Sequence, residues 1–337
     1  MHRRILPSLA AFAVVLGSFA FSAPAFANDQ SFDHVYVIMM ENQSFDNLVG
    51  HNKVDPATGN ILQPDTPYIT NLAVTSGLAT LYFGVTHPSS PNYLATISGD
   101  YFGVQDDNSS CYAEPVPDAA CHAISAPNLV DRLEAKSLTW TALEESMPTA
   151  GFLGTQYPGA APRLYAQKHN PFVYFKDIAT NPQRLAKIQP LTSNTLAATL
   201  ANPPNLTYIV PNQCDDMHGT TTCPNLDSLL QTGDAYLKSL VSKIVASPSF
   251  TRRSAIFVVW DEDDYSSNFG CCSSLPALGG GHTLALVVRA RARYARSATP
   301  MNHYSLLRTI LEGFGLPPLG HSNDRDVAPM WELLGSQ

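Results

Sequence analysis

The chain has 337 residues, of which 45% are hydrophobic and 14% charged. That is enough apolar material for one large α/β domain or two modest ones, and disorder is not the default. Its 28 Asp and Glu outweigh 20 Lys and Arg, for a formal net charge of −8; with no clustered basic run, nucleic acid is excluded as a partner, while a small phosphate-bearing substrate stays open because a bound cation reverses the local field.

Residues 1–27 read as an export signal. MHRR supplies positive charge, ILPSLAAFAVVLGSFAF an apolar centre, and APAFA before Asn28 an A-x-A cleavage site. A retained membrane anchor is the alternative, disfavoured by the prolines and small residues ahead of Asn28. No later segment reaches the roughly 18 unbroken apolar residues of a membrane span. The expectation is an exported protein, secreted or periplasmic, without stable membrane insertion.

Beyond the leader, HVYVIMM (34–40) is a continuous apolar run that stops at Glu41-Asn42. THPSSPNYLATISGD (86–100) places Ser89 and Ser90 beside two prolines, in a bend leading into a helix at Tyr93. NLVDRLEAK (128–136) has helical spacing. LTYIVP (206–211) runs into Asn212-Gln213-Cys214-Asp215-Asp216, and residues 227–247 form a long amphipathic helix. SAIFVVW (254–260) stops at Asp261-Glu262-Asp263-Asp264. TLALVVR (283–289) follows three glycines and His282, and residues 303–315 are again helical.

Continuous rather than alternating apolar runs describe central strands covered on both faces. Strands alternating with helices predict an α/β protein whose mainly parallel central sheet carries helices on both faces. In such sheets sites gather beyond the carboxyl ends of the strands, where three of these four runs carry acids or amides. No internal repeat or low-complexity linker divides residues 28–337, which read as one domain. Six cysteines in an exported chain favour disulfides. Short separations suggest Cys111–Cys121 and Cys214–Cys223, leaving the vicinal pair Cys271 and Cys272.

Glu41, Asn42, Asp261 and Glu262 are all oxygen donors. If their strands are neighbours, they suit one hard divalent cation, Mg, Ca or Mn, with Zn also compatible; otherwise both clusters are solvated turns. Ser89 at a helix start sits where backbone N–H groups and the dipole favour an anion, which suits a nucleophile but equally a plain N-cap. His87 is two residues from Ser89, His218 closes CDDMH, and His169 sits in QKHNPF. A lone histidine is commonly structural, but histidine is also the usual acid for a leaving alcohol.

ENQSFDNLVG (41–50) resembles the ENxSFDxxxG signature of the phosphoesterase family that contains bacterial acid phosphatases and phospholipases C. THPSSPNYLATISGD resembles the HPSxPNYLAxxSG segment of its smaller secreted members. YAQKHNPFVYF (165–175), IVPNQCDDMHG (209–219), VVWDEDD (258–264) and NHYSLLRTILEGFGLPPLG (302–320) match in family order. The resemblance implies an alkaline-phosphatase-like fold and metal-dependent cleavage of phosphate esters. By position it implies Glu41, Asn42, Asp261 and Glu262 as metal ligands, although many relatives carry two aspartates at the last pair. It makes Ser89 the nucleophile, forming a phosphoserine, and places Asn108 near a phosphate-contacting asparagine.

His169 and His218 match positions near the transferred phosphate, and His87 belongs to the HPS motif. His282 follows a glycine run where relatives carry Arg or His, which implies phosphate contact, a second-metal role or neither. Asp216 and His218 could supply part of a second ion's ligands, but with different spacing, so one cation is expected. The implied activity is phosphomonoester hydrolysis of the acid phosphatase type, with phosphoinositides among the candidate substrates. The alternatives are a phospholipase C-type diesterase and a non-catalytic exported metal-binding protein.

Overall fold

The computed structural model describes residues 31–49, 65–115, 119–159, 161–273, 279–291 and 294–335. The proposed leader lies outside the described residues. The strands are β1 (His34–Met40), β2 (Gly77–Phe83), β3 (Trp140–Glu145), β4 (Gln156–Tyr157), β5 (Tyr165–Ala166), β6 (Ile188–Leu191), β7 (Leu206–Val210), β8 (Ser254–Trp260), β9 (His282–Arg289), β10 (Ala295–Ser297) and β11 (Met301–Asn302). The helices are α1 (Phe45–Leu48), α2 (Pro67–Thr75), α3 (Ser89–Ser98), α4 (Leu129–Ala135), α5 (Lys176–Ala179), α6 (Pro182–Leu185), α7 (Ser193–Ala201), α8 (Leu226–Ala246) and α9 (His303–Gly313).

Nine strands form one sheet in the order β10-β2-β9-β8-β1-β7-β3-β6, with β11 also on β2; β4 and β5 make a separate hairpin. The two runs that read most clearly as buried strands, β1 and β8, lie side by side in parallel, Met40 against Trp260. Their side chains alternate between two cores, as the period of two requires. Val35, Val37, Met39, Phe257 and Val259 join one core with Leu94 and Ile97 of α3 and Leu306 and Ile310 of α9. Tyr36, Ile38, Met40, Val258 and Trp260 join the other with Ile69 of α2 and Leu237 and Val241 of α8. Both faces of the sheet are therefore covered by helices, which is why these strands are apolar throughout.

Two expectations change. The run 283–289 was read with the parallel strands, but β9 pairs antiparallel with both β8 and β2. Its first residues, not its last, therefore lie at the sheet end where β1 and β8 deliver their acids, and this brings Gly280 and Gly281 there. The helix read from Tyr93 begins at Ser89. Pro91 does not delay it, because first-turn N–H groups have no partner within the helix and a missing one costs nothing there. All three cysteine pairs are bonded: Cys111–Cys121, Cys214–Cys223 and the vicinal Cys271–Cys272. Among the described residues, no helix is long and apolar enough to cross a membrane.

Candidate active site

Parallel pairing of β1 and β8 delivers Glu41-Asn42 and Asp261-Glu262 side by side. Asn42 takes a left-handed backbone conformation (φ 49°), which asparagine tolerates better than most residues. Its N–H donates to Asp261 Oδ1 at 2.9 Å. The Asp261 carbonyl is held from behind by His303, and Glu41 N–H donates to the Asp216 carbonyl at 2.9 Å. Four carboxylates, Glu41, Asp216, Asp261 and Glu262, meet here with no exposed surface.

Ser89 enters at the first residue of α3. Its hydroxyl does not cap the helix, and the N-cap Pro88 makes no side-chain bond. Instead Ser89 Oγ donates to Glu41 Oε2 at 3.0 Å and lies 3.4 Å from Glu262 Oε1. The plain N-cap alternative thus fails on geometry. The loop before α3 is fixed by Asn92, whose Oδ1 accepts from Val85 and Thr86 N–H and whose Nδ2 donates to the Thr86 and Pro88 carbonyls.

The histidines divide by what their nitrogens face. His87 Nδ1 meets Glu262 Oε2 at 2.7 Å, and Nε2 meets the Ser267 carbonyl at 3.1 Å. The Ser267 carbonyl only accepts, so Nε2 carries a proton, and Nδ1 shares a proton with the Glu262 carboxyl. The bond to Glu262 and its charge outweigh burial and raise the imidazole above its ordinary range. His218 Nδ1 donates to the Gly219 carbonyl at 2.9 Å, leaving Nε2 to accept from Lys168 Nζ at 3.4 Å; burial, with Lys168 beside it, brings His218 down to about 4. His169 is stacked flat on Tyr93, with Nε2 3.3 Å from Glu41 Oε1 and Nδ1 3.6 Å from Asp216 Oδ2. Burial, then Lys168 and His218, holds it well below the ordinary range.

Burial, reinforced by Asp261 and Asp216, pushes Glu41 well above the usual carboxylate range, and burial does the same to Asp216. Burial also raises Asp261 to about 6 and Glu262 to about 8. Ionised carboxylates so placed need compensating positive charge or protons. Glu41 Oε1, Asn42 Oδ1, Asp216 Oδ2, Asp261 Oδ2 and His169 Nε2 are buried without a hydrogen-bond partner. Buried polar atoms are ordinarily satisfied, so this concentration of bare acceptors, mostly oxygens, fits a hard divalent cation. Glu41, His169 and His218 also each offer an atom within 4.8 Å of the others, so Glu41 belongs to two groups of donors.

Of the residues singled out in the sequence, the structure gathers Glu41, Asn42, Asp261, Glu262, Ser89, His87, His169 and His218. Asn108 lies at the edge: its carbonyl accepts from Tyr174 OH, and its neighbour Asp107 reaches the Ser90 N–H at 3.0 Å. His282 sits in a packing position, with Nε2 on the Thr80 carbonyl and its ring stacked on Phe45. Sequence reasoning missed Lys168 and Asp107, which pair at 2.8 Å. Each adjoins a residue that was singled out, and only their pairing shows what they do.

The model of the Phosphoesterase family matches residues 59–317 of this chain. A probable acid phosphatase of Kluyveromyces lactis is 27% identical over 88% of this chain and 62% of its own length. A phosphatidylinositol-3-phosphatase of Mycobacterium tuberculosis is 27% identical over 89% of this chain and 83% of its own. An acid phosphatase of Aspergillus fumigatus is 30% identical over 72% of this chain and 49% of its own, so the chain spans about half to three fifths of these fungal relatives. Among solved structures, murine ectonucleotide pyrophosphatase / phosphodiesterase 5, an inactive form in complex with AMP, aligns over 90% of this chain and 99% of its own with TM-score 0.53 and 12% identity. An alkaline phosphatase superfamily protein from Vibrio parahaemolyticus aligns over 85% and 67% with TM-score 0.52 and 11% identity. These two share the fold.

Proposed function

Given that this chain belongs to the Phosphoesterase family, we propose that it is an exported, metal-dependent phosphatase that hydrolyses phosphate monoesters through a phosphoserine at Ser89. The observation that carries this reading is a buried serine hydroxyl at a helix start, facing Glu41 among acceptor atoms that lack donors. Glu41, Asn42, Asp261 and Glu262 would hold one divalent cation. Asp216, with its bare Oδ2, is a further donor. Mg, Ca or Mn suit these oxygens, and Zn is compatible with the nearby imidazoles. When bound, such a cation supplies Lewis acidity that eases serine deprotonation and draws charge off phosphate oxygens.

The chain's own groups account for the rest. Ser89 Oγ bonds to phosphorus as the ester P–O bond breaks, and its proton leaves toward the carboxylates it already faces. The departing alkoxide takes its proton from water, because burial holds His169 neutral; His169 Nε2, with no competing hydrogen bond, stays among the acceptor atoms around Glu41. His87 has both nitrogens engaged and instead orients Glu262; His218 presents a bare Nε2 to Lys168 and cannot donate there. Water then attacks phosphorus, releasing phosphate and restoring Ser89.

The two fungal relatives described as an acid phosphatase and a probable acid phosphatase support the monoester assignment, and the mycobacterial phosphatidylinositol-3-phosphatase brings phosphoinositides into the substrate range. Three disulfides support an oxidising, extracytoplasmic location. A phosphate-ester screen with and without chelator tests the reading. Expected is chelator-sensitive release of phosphate from aryl monoesters. A preference for diesters would make the protein a phospholipase C-type enzyme. Bound metal without turnover of any ester would make it a metal-binding protein.

A further inference from the structure

The contacts around Ser89 close into a ring. Ser89 Oγ meets Glu41, Glu41 Oε1 lies 3.3 Å from His169 Nε2, and the His169 and His218 rings are 5.5 Å apart. His218 Nε2 accepts from Lys168 Nζ at 3.4 Å, Lys168 pairs with Asp107 Oδ2 at 2.8 Å, and Asp107 Oδ1 accepts from the N–H of Ser90, next to Ser89. Lys168 is the ammonium on this ring, and its side chain is 14% exposed.

We infer that Lys168 makes this site selective for phosphate monoesters over diesters, by binding the additional terminal oxygen that a monoester presents and a diester has esterified. This rests on the monoesterase reading above and names the residue that sets its substrate class.

Three features carry it. The first is position: the turn holding Lys168 is stitched to the start of α3, where the Ser90 hydroxyl contacts the Lys168 carbonyl at 3.5 Å. With Asp107 tethering both Ser90 N–H and Lys168 Nζ, the ammonium is fixed relative to the attacking hydroxyl rather than left to swing. The second is capacity: an ammonium has three donors, Asp107 and His218 engage two, and the His218 contact is long enough to yield. The third is charge. The field of Lys168 reaches Glu41, Asp216, His169 and His218 alike. A monoester dianion entering among four buried carboxylates carries one more negative charge than a diester, so it depends more on that positive charge.

The test compares the unsubstituted protein with Lys168→Met and Lys168→Arg on 4-nitrophenyl phosphate and bis(4-nitrophenyl) phosphate, under one metal and pH condition. A charge-assisted hydrogen bond is worth a rate factor of about 10 to 100. The monoester-to-diester ratio of kcat/KM is therefore expected to fall by about that factor in Lys168→Met, with most of it restored in Lys168→Arg. Titration calorimetry is expected to show the same weakening for inorganic phosphate. Equal losses on both esters would give Lys168 a purely structural role and overturn the inference, as would an unchanged ratio. If the unsubstituted protein cleaves only the diester, or neither ester, the monoesterase reading falls and this inference with it. If monoester turnover is strong but indifferent to Lys168→Met, only the inference falls.

Discussion

His303 donates from Nε2 to the backbone carbonyl of Asp261 at 2.6 Å and accepts at Nδ1 from Tyr82 OH at 2.9 Å. The imidazole is completely buried, and burial brings it down to about 4. It is a neutral strut behind the acid that closes β8. Because its folded value lies below the ordinary histidine value, the unfolded chain binds the extra proton between about pH 6.5 and 4. Stability from this residue is thus complete above that window and lost as pH falls through it. His303→Gln is expected to cost about 1–3 kcal/mol at neutral pH, and to flatten the loss toward pH 4 in urea titrations. An unchanged pH slope would remove His303 from this role.

Ser89→Ala is expected to lower aryl phosphate turnover at least about a thousandfold, the scale seen when a nucleophile is removed. Thermal unfolding should barely move, since the hydroxyl does not cap α3. Near-normal turnover would assign the attack to another group.

Removing metal should produce a characteristic pH response. Burial raises Glu262 to about 8 and Asp261 to about 6, above the ordinary carboxylate values. Such acids contribute stability while protonated and lose it as pH rises through the folded values. Chelator-treated protein should therefore weaken between about pH 5 and pH 8, and millimolar Mg or Mn should restore it by binding the ionised form. Asp261→Asn should lower metal content and activity together while making the metal-free protein less sensitive to rising pH. Metal content equal to that of the unsubstituted protein would argue against this ligand set.

Gly281 has φ 78°, and a Cβ there would fall 2.0 Å from the carboxyl carbon of Asp263. That carboxylate collects Ser266 Oγ and both the N–H and Oγ of Ser267, whose carbonyl meets His87. Gly281→Ala is expected to destabilise the fold by about 1–3 kcal/mol, and to lower activity by loosening His87 from Glu262. Melting temperature and turnover, measured side by side, check this; a variant normal in both would show that the loop tolerates the displacement.

Sequence by itself determined β1 and β8, because short apolar runs rich in β-branched residues and stopped by acids fit strands covered on both faces, and it placed Glu41, Asn42, Asp261 and Glu262 at their ends. The two wider-spaced disulfides were legible from short separations, and Ser89 from its motif. Tertiary structure alone decided that β9 runs antiparallel, bringing Gly280 and Gly281 to the acid end of the sheet. It also decided that Ser89 faces Glu41 rather than its own helix, that both His87 nitrogens are engaged, and that Asp107 and Lys168 join across 61 positions of chain. The reason is physical. Periodicity records which faces of one element avoid water, whereas strand order and the meeting of distant loops follow from how all the elements pack together, and no local stretch of sequence encodes that outcome.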